Sequence, residues 1–311
     1  MNAGIAWNLN DIRSKFAPDL TGHVVRDGQD PLASGSSGDI YRGILRMSGR
    51  AIDVAVKAIR TYSANGDDPV KIQKRFRWEI RTWLNLNHIN VLPLFGTTMN
   101  FGLFPAMVCP WVENGTLSSY LGRLDGNLTA AERLSLVSDV AAGLQYLHSR
   151  SVVHGDLSGS NVLVDGNRRA CISDFGLSTL LTELGGSTYA TSRQAEGTVR
   201  WTAPELLDPQ VPLGAPPIVP MVHSDVYSFG RIMLQVMTGK VPFHYYLRNM
   251  QVLYAISQGK IPDRPSEELV TDRQWSFMQR CWMPLDADEP RPGDEEIVEF
   301  VRQELVNIVR V

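Results

Sequence analysis

The feature that most constrains the fold is a change in hydrophobic periodicity along the chain. From about Thr21 to Leu94 the apolar residues alternate as in β-strands, with one helical pattern among them. From about Thr116 onward, long helical periodicities dominate. This order predicts an α+β protein in two parts, a strand-rich part with one helix followed by a helical part. The 311 residues, of which 43% are hydrophobic, suffice for a buried core in each lobe.

The same pattern sets the expected segment boundaries. We predict an N-terminal extension at 1–22, a β-rich lobe at 23–109, a hinge at 110–115, a helical lobe at 116–305 and a C-terminal tail at 306–311. The extension lacks the apolar core of a signal peptide, and we expect it to be flexible or loosely docked. No apolar run approaches the roughly 20 residues that a transmembrane helix needs.

Composition and charge exclude several classes of partner. Lys and Arg number 30 against 33 Asp and Glu, so the formal charge of -3 does not call for nucleic acid or an anionic membrane surface. The three cysteines, Cys109, Cys171 and Cys281, are odd in number, far apart and without metal-ligand spacing. This usage predicts reduced thiols. We therefore expect an intracellular protein, cytoplasmic or nuclear.

A lysine lies inside an apolar strand pattern. Residues 52–59 read IDVAVKAI, and Lys57 is the one charged side chain in the β-branched part of this run. A helix is predicted to begin near Asp68, and Glu79 lies beside its apolar stripe. A carboxylate at that position needs a partner, because burying an unpaired charge costs several kcal/mol.

Two further helices are predicted around the next polar cluster. Thr129 and Glu132 have capping-box spacing ahead of a helix that leads the chain to His154. The segment from Ser224 to Met237 is apolar nearly all round, as expected of a helix buried at the centre of a lobe. Such a helix is a candidate anchor for a catalytic loop.

The densest group of chemically active residues runs from His154 to Val164 as HGDLSGSNVLV and is followed by DFG at 174–176. Further matching segments are VAVK at 54–57, Glu79, APE at 203–205 and Arg291. With these segments in this order, the chain resembles the protein kinases over about residues 30 to 300. The segment from Gly197 to Glu205 makes it similar to the tyrosine-kinase-like group within them. The resemblance implies a bilobal fold, with a small, mostly antiparallel β lobe that contains one key helix and a larger α-helical lobe.

The resemblance implies binding of ATP and Mg²⁺ and transfer of the γ-phosphoryl group. Lys57 would contact the α- and β-phosphates, and Glu79 would hold its ammonium. Asp174 would bind one magnesium ion and Asn161 the second. Asp156 would orient the substrate hydroxyl and accept its proton. Any one of these residues alone is more often a surface or turn residue, so the assignment depends on the whole set.

The resemblance also implies a nucleotide pocket. The segment from Leu32 to Tyr41 has Ala33 where the family pattern begins with glycine, and an ordinary hairpin turn is the alternative for it. Its position about 20 residues before Lys57 favours phosphate binding. At the hinge, the Val112 N–H and the carbonyls of Pro110 and Val112 would bind adenine, while Cys109 would gate the pocket or simply fill the core. The residues assigned to nucleotide binding are Ala33, Ser34, Gly35, Ser36, Ser37, Gly38, Ile40, Ala55, Lys57, Cys109, Pro110, Val112 and Leu163.

Supporting roles follow from the same resemblance. Glu205 and Arg291 would form a buried ion pair, and Asp225 would fix the backbone of the catalytic loop. The Thr198 hydroxyl would bond the aspartate base beside the acceptor, which is typical of serine/threonine kinases. Trp201 is more typical of the tyrosine-specific pattern.

Two substitutions depart from the family pattern. Gly155 replaces the arginine that usually precedes the catalytic aspartate, so a phosphorylated activation loop would lack its usual cationic partner. We therefore expect phosphorylation of that loop not to be obligatory; its candidate sites are Thr188, Tyr189, Thr191 and Ser192. Ser158 replaces a lysine that contacts the γ-phosphate, a loss that could slow transfer by on the order of 10² to 10³.

The sequence therefore predicts a serine/threonine kinase that acts on a protein substrate with ATP and Mg²⁺. The main alternative is a pseudokinase that binds ATP, or nothing, and acts as an interaction scaffold; Ser158 and Ala33 motivate it. A tyrosine or dual-specificity kinase is the next alternative. A small-molecule phosphotransferase is disfavoured because the peptide-docking segment from Gly197 to Glu205 is intact. Nothing in the sequence indicates the oligomeric state.

Overall fold

The chain divides into two compact units. Residues 17–35, 38–47, 49–58, 80–102, 105–175, 197–207 and 219–309 are described by the structure, a computed structural model. One unit comprises Met1–Asn87 with Pro93–Trp111, and the other comprises His88–Leu92 with Val112–Val311. The first contains an antiparallel sheet and the second a set of packed helices. The predicted α+β class is therefore confirmed.

The sheet of the first unit has six strands. They are β1 (Val24–Arg26), β2 (Ala33–Gly35), β3 (Gly38–Met47), β4 (Arg50–Ala58), β5 (Gly96–Thr98) and β6 (Ala106–Pro110). Their order is β1-β3-β4-β6-β5, β2 pairs with β3, and every pairing is antiparallel. The predicted strand around Lys57 is β4, whose Val54 and Val56 are fully buried in the core. Residues 80–84 are helical, at the end of the helix predicted from Asp68.

The segment at 17–20 belongs to the sheet unit rather than to a loose extension. The Thr97 N–H donates to Pro18 O at 2.9 Å, the Leu20 N–H donates to Thr97 O at 2.7 Å, and Leu20 is buried in the core. Gly96 allows this close approach, since a Cβ there would lie 2.3 Å from Pro18 O. The expectation of a flexible or loosely docked extension is thus wrong for these residues. The sequence could not predict this docking, because it depends on two backbone hydrogen bonds, which produce no periodic pattern of side chains.

The second unit is built from helices and one small hairpin. The helices are α1 (Leu117–Leu124), α2 (Ala130–Ser149), α3 (Val222–Thr238), α4 (Asn249–Ser257), α5 (Asp272–Cys281) and α6 (Asp294–Val309). Strands β7 (Val162–Val164) and β8 (Ala170–Ile172) pair antiparallel. Short 3-10 helices lie at Asp125–Asn127, Thr198–Arg200 and Pro204–Leu206. Among the described residues, no helix combines the length and apolar character that crossing a bilayer requires.

The N-terminus of α2 lies where its sequence signal predicted it. The Glu132 N–H donates to Thr129 Oγ1 at 3.2 Å and the Thr129 N–H donates to Glu132 Oε2 at 2.9 Å, which is the predicted capping box of α2. Helix α6 continues to Val309, into the segment assigned to the C-terminal tail at 306–311. No glycine or proline interrupts the helical sequence there.

Helix α3 is the central helix that the sequence predicted. Every residue from Ser224 to Met237 is buried. Its polar members therefore need partners within the protein, because a buried polar group without a hydrogen bond costs free energy. These partners define the functional site of the second unit.

Candidate functional site

In the first unit, the glycine-containing segment contributes two paired antiparallel strands. Ala33, Ser34 and Gly35 are in β2, and their antiparallel partners in β3 are Ile40, Asp39 and Gly38. Gly38 has a φ of 151°, which disfavours a residue with a side chain. The turn residues Ser36 and Ser37 lie outside the described residues.

Lys57 lies at the end of β4 and is 7% exposed. It pairs with Ile40 of β3 and with Met107 of β6. Ala55, two residues earlier on the same face, pairs with Cys109, which is buried beside Pro110 at the end of β6. Glu79, the predicted partner of Lys57, lies outside the described residues. The nucleotide-binding candidates of this unit therefore share β2, β3, β4 and β6.

Two further nucleotide-binding candidates lie in the second unit. The Val112 carbonyl accepts a hydrogen bond from the Gly115 N–H at 3.2 Å, in a turn where Gly115 has a φ of 69°. Leu163 lies on β7, pairs with Cys171 of β8 and bridges to Thr116. Burial raises the pKa of the Cys171 thiol to about 12, so this cysteine stays protonated.

Asp225 of α3 fixes the backbone of the loop that carries Asp156. Its Oδ2 accepts from the His154 N–H at 2.7 Å and its Oδ1 accepts from the Gly155 N–H at 2.8 Å. Gly155 has a φ of 76°, where glycine avoids the strain that a side chain would bring. The glycine that replaces the usual arginine therefore suits the local backbone.

Asp156 is held on both sides. Its N–H donates to His154 Nδ1 at 3.1 Å, and the His154 Nε2 lies 3.0 Å from the carbonyl of Ser173. Burial lowers the pKa of His154, so the ring is neutral, with Nε2 as donor and Nδ1 as acceptor. The Asn161 Nδ2 donates to Asp156 O at 2.7 Å and to Asp156 Oδ2 at 3.0 Å. The carboxylate thus has a defined orientation before any substrate arrives.

Asn161 and Asp174 carry side-chain oxygens of the kind that magnesium prefers. The Asn161 amide nitrogen is engaged by Asp156, which leaves its carbonyl oxygen as the group suited to a cation. The Ser173 N–H donates to Asn161 O at 2.8 Å, so Asp174 directly follows a residue tied to Asn161. Asp174 has a φ of 59°, an uncommon conformation that is often found at functional sites. Among the described residues, no three His, Cys, Asp or Glu side chains form a metal cluster.

His148 of α2 balances the charge of Asp225. Its Nε2 lies 2.9 Å from Asp225 Oδ2, and its Nδ1 lies 2.8 Å from Asp294 Oδ1. Burial alone would lower the pKa of the ring, but hydrogen bonds and charge from Asp225 and Asp294 outweigh it and raise the pKa to about 9. At neutral pH the ring is therefore a cation that donates to both carboxylates.

Ser158 occupies the position of the missing lysine, but its polar group is not exposed. Its side chain is fully buried, and among the described residues its hydroxyl has no hydrogen-bond partner. Gly159 has no space for a side chain, since a Cβ would lie 2.4 Å from Gln235 Oε1 and 2.5 Å from Ser118 Oγ. The loop that carries Asp156 is therefore packed tightly at Ser158 and Gly159.

Thr198 does not make the hydrogen bond that the sequence suggested. Its hydroxyl is buried and, within the part of the chain that the structure describes, it bonds neither Asp156 nor any other group. The Thr198 carbonyl instead accepts from Thr202 Oγ1 at 3.0 Å, which holds this segment in its 3-10 turn. Sequence spacing could identify the residue but not the orientation of its side chain.

Glu205 and Arg291 form a bidentate ion pair. Arg291 Nη1 donates to Glu205 Oε1 at 2.6 Å and Nη2 donates to Glu205 Oε2 at 3.0 Å. Arg291 also donates to the carbonyls of His223 and Met283. The pair joins the segment around Pro204–Leu206 to the chain that precedes α6.

Sequence reasoning missed His148, Asp294 and Gln235. His148 and Asp294 are 146 residues apart in sequence, and Gln235 bonds Ser118, which is 117 residues away. The one available signal was for Gln235, a polar residue in a helix that is otherwise apolar nearly all round.

Comparison with known proteins adds a family match over most of the chain. The family model described as protein tyrosine and serine/threonine kinase matches residues 27–301. Ephrin type-A receptor 3 of Danio rerio is 32% identical over 267 residues, which cover 84% of this chain and 25% of the receptor. Ephrin type-B receptor 1 of Gallus gallus is 32% identical over 287 residues, or 91% of this chain and 27% of the receptor.

A plant relative covers more of the chain. Serine/threonine-protein kinase STY46 of Arabidopsis thaliana is 26% identical over 301 residues, which cover 96% of this chain and 45% of the relative. The chain thus spans less than half the length of each of these three relatives.

Proposed function

Because the chain belongs to the protein tyrosine and serine/threonine kinase family, we propose that it transfers the γ-phosphoryl group of ATP to serine or threonine hydroxyls of protein substrates. The observation that carries this proposal is that hydrogen bonds to His154 and Asn161 fix Asp156 in position. Its carboxylate is bonded by Asn161 and its backbone by His154, so its orientation is set before substrate binds. Preorganised groups of this kind lower the barrier because they need no rearrangement during the reaction.

In this proposal Asp156 orients the acceptor hydroxyl and takes its proton. Lys57 neutralises charge on the α- and β-phosphates, and Glu79 holds the lysine ammonium. Asp174 and Asn161 hold Mg²⁺, which when bound neutralises phosphate charge. Within the first unit the candidates from Ala33 to Pro110 would contact the nucleotide, and within the second unit Val112 and Leu163 would do so.

Serine and threonine are the proposed acceptors, with tyrosine as the alternative. Thr198 supports serine and threonine because its position matches the serine/threonine pattern, although its hydroxyl bonds no group among the described residues. The relatives include both ephrin receptors and a serine/threonine-protein kinase, so they favour neither acceptor. The proposed location is cytoplasmic or nuclear and rests on the cysteine usage of the sequence.

The test is a transfer assay with purified protein, Mg²⁺, γ-labelled ATP and a generic protein substrate. Asp156→Asn should abolish label transfer, whereas Asp286→Asn at an exposed site should leave it unchanged. Phosphoamino acid analysis of the product distinguishes serine and threonine from tyrosine. A thermal shift with Mg-ATP but no transfer by the wild-type protein would refute the proposal and favour the ATP-binding scaffold.

A further inference from the structure

The amide of Gln235 joins two other elements to the central helix. It lies on α3 and is 1% exposed. Its Oε1 accepts from the Trp201 indole Nε1 at 3.1 Å, and its Nε2 donates to Ser118 Oγ of α1 at 3.0 Å. An indole N–H can only donate, so the atom facing it must be the amide oxygen. Both ends of the amide are therefore used in one orientation.

The same amide packs against the backbone of the loop that carries Asp156, at Gly159. A Cβ on Gly159 would lie 2.4 Å from Gln235 Oε1 and 2.5 Å from Ser118 Oγ. The Ser118 N–H donates to Gly159 O at 2.9 Å. Gly159 is not among the residues with positive φ, so it is needed here for space and not for an unusual conformation. Gln235 and Ser118 thus contact the loop backbone three residues after Asp156.

Trp201 is the second residue that Gln235 bonds, and it lies on a different segment from Ser118. It follows the 3-10 turn Thr198–Arg200 and is 4% exposed. Its carbonyl accepts from Ser228 Oγ of α3 at 2.9 Å, so both its backbone and its ring are fixed to this helix. Without Gln235 the indole N–H would be buried without an acceptor, which is unfavourable.

We propose that Gln235 is a positioning residue that sets the acceptor-docking segment Thr198–Trp201 relative to the loop that carries Asp156. The proposal rests on the proposed function, because that function makes this segment the docking site for the acceptor. A neutral amide suits the role because it accepts from Trp201 and donates to Ser118 without burying a charge. Its loss should weaken productive binding of the protein acceptor more than it affects ATP.

The test is steady-state kinetics of Gln235→Met, which keeps the length of the side chain and removes both polar ends. We expect kcat/KM for the protein acceptor to fall about tenfold, the effect of losing roughly one well-made buried hydrogen bond. KM for ATP should stay within about twofold of wild type, because the substitution does not change the residues proposed to bind ATP. An equal change in both substrates, or no change in the acceptor, would overturn the proposal.

Gln274→Met is the matched control. Gln274 is also a buried glutamine, on α5, and its Nε2 donates to Glu304 Oε2 at 2.8 Å. A general loss of stability should affect both variants, whereas only Gln235→Met should change the kinetics of the acceptor. If both variants alter acceptor kinetics alike, Gln235 is merely structural and the proposal is wrong.

Two further measurements keep the outcome decisive. If Gln235→Met does not fold, Trp201→Phe removes the indole donor together with part of the ring and should lower kcat/KM for the acceptor in the same way. Unchanged kinetics would refute the role. If the wild-type protein transfers no phosphate, the proposed function fails. The contacts of Gln235 with Trp201 and Gly159 can still be observed by NMR. Gln235→Met should then shift both the Trp201 indole N–H and the Gly159 amide resonance, and two unchanged resonances would show that no such connection exists.

Discussion

Replacing Asp294 by asparagine should destabilise the protein at pH 6 and have almost no effect at pH 10. The charge of Asp294 faces His148, whose other ring nitrogen faces Asp225. Asparagine can still accept the hydrogen bond through its side-chain oxygen, so the substitution removes mainly the charge. The effect should therefore depend on whether His148 is protonated.

The magnitude follows from the pKa of His148. A rise from 6.5 to about 9 corresponds to about 3 kcal/mol of stability that depends on the protonated ring. Because the folded-state pKa lies above the unfolded one, this contribution is complete below about pH 6.5 and is lost as the pH rises through about 9. Asp294 supplies one of two carboxylates, so we assign it about half, or roughly 1.5 kcal/mol. For a chain of 311 residues that corresponds to roughly 2–3 °C in Tm.

Thermal unfolding of both proteins between pH 6 and pH 10 measures this difference, and comparing variants at each pH cancels the titration of other groups. Asp272→Asn is the matched control, because Asp272 is also an acidic residue in the first turn of a helix but faces Arg264 rather than a histidine. Its effect on Tm should be small and should not change with pH in this range. A Tm difference for Asp294→Asn that stays constant from pH 6 to pH 10 would refute the reasoning.

Three other predictions concern buried groups. Arg291→Ala should lower the free energy of unfolding in urea by roughly 3 kcal/mol, since Glu205 loses a bidentate partner; a loss below about 1 kcal/mol would contradict this. Arg231→Met should be neutral or raise Tm, because the buried guanidinium has two nitrogens without hydrogen-bond partners among the described residues; a marked fall in Tm would count against it. Burial raises the thiol pKa of Cys171 and Cys281 to about 12, so a thiol reagent at pH 8 should modify them only after unfolding, and rapid labelling of the native protein would show this to be wrong.

Local signals in the sequence were sufficient to predict some of the elements. The capping box of Thr129 and Glu132 depends on residues three apart, and the burial of α3 follows from its apolar composition. The strand around Lys57 could likewise be recognised because alternation along a strand is a local property. Each of these depends on neighbours in sequence, which the chain itself specifies.

Contacts between distant segments could not be predicted in the same way. Nothing near His148 in sequence indicates that Asp294 will lie beside it, and an aspartate in the first turn of a helix is common for reasons of capping and dipole alone. The docking of Pro18 and Leu20 on β5 likewise depends on which backbone groups the sheet leaves available. The motif residues were recognised by resemblance, whereas the groups that hold them became visible only in three dimensions.

The polar residues of α3 explain how one buried helix can hold two functional segments. Asp225, Ser228 and Gln235 lie within an arc of about 80° on the helix, at about 100° per residue. Asp225 binds the backbone at His154 and Gly155, whereas Ser228 and Gln235 bind Trp201.

Asp225 and Gln235 are ten residues apart on this buried helix, about 15 Å at 1.5 Å per residue, so removal of the Gln235 contacts should leave those of Asp225 in place. Asp225 would still hold the catalytic loop in Gln235→Met, and for this reason the substitution should affect the acceptor rather than the chemistry at Asp156.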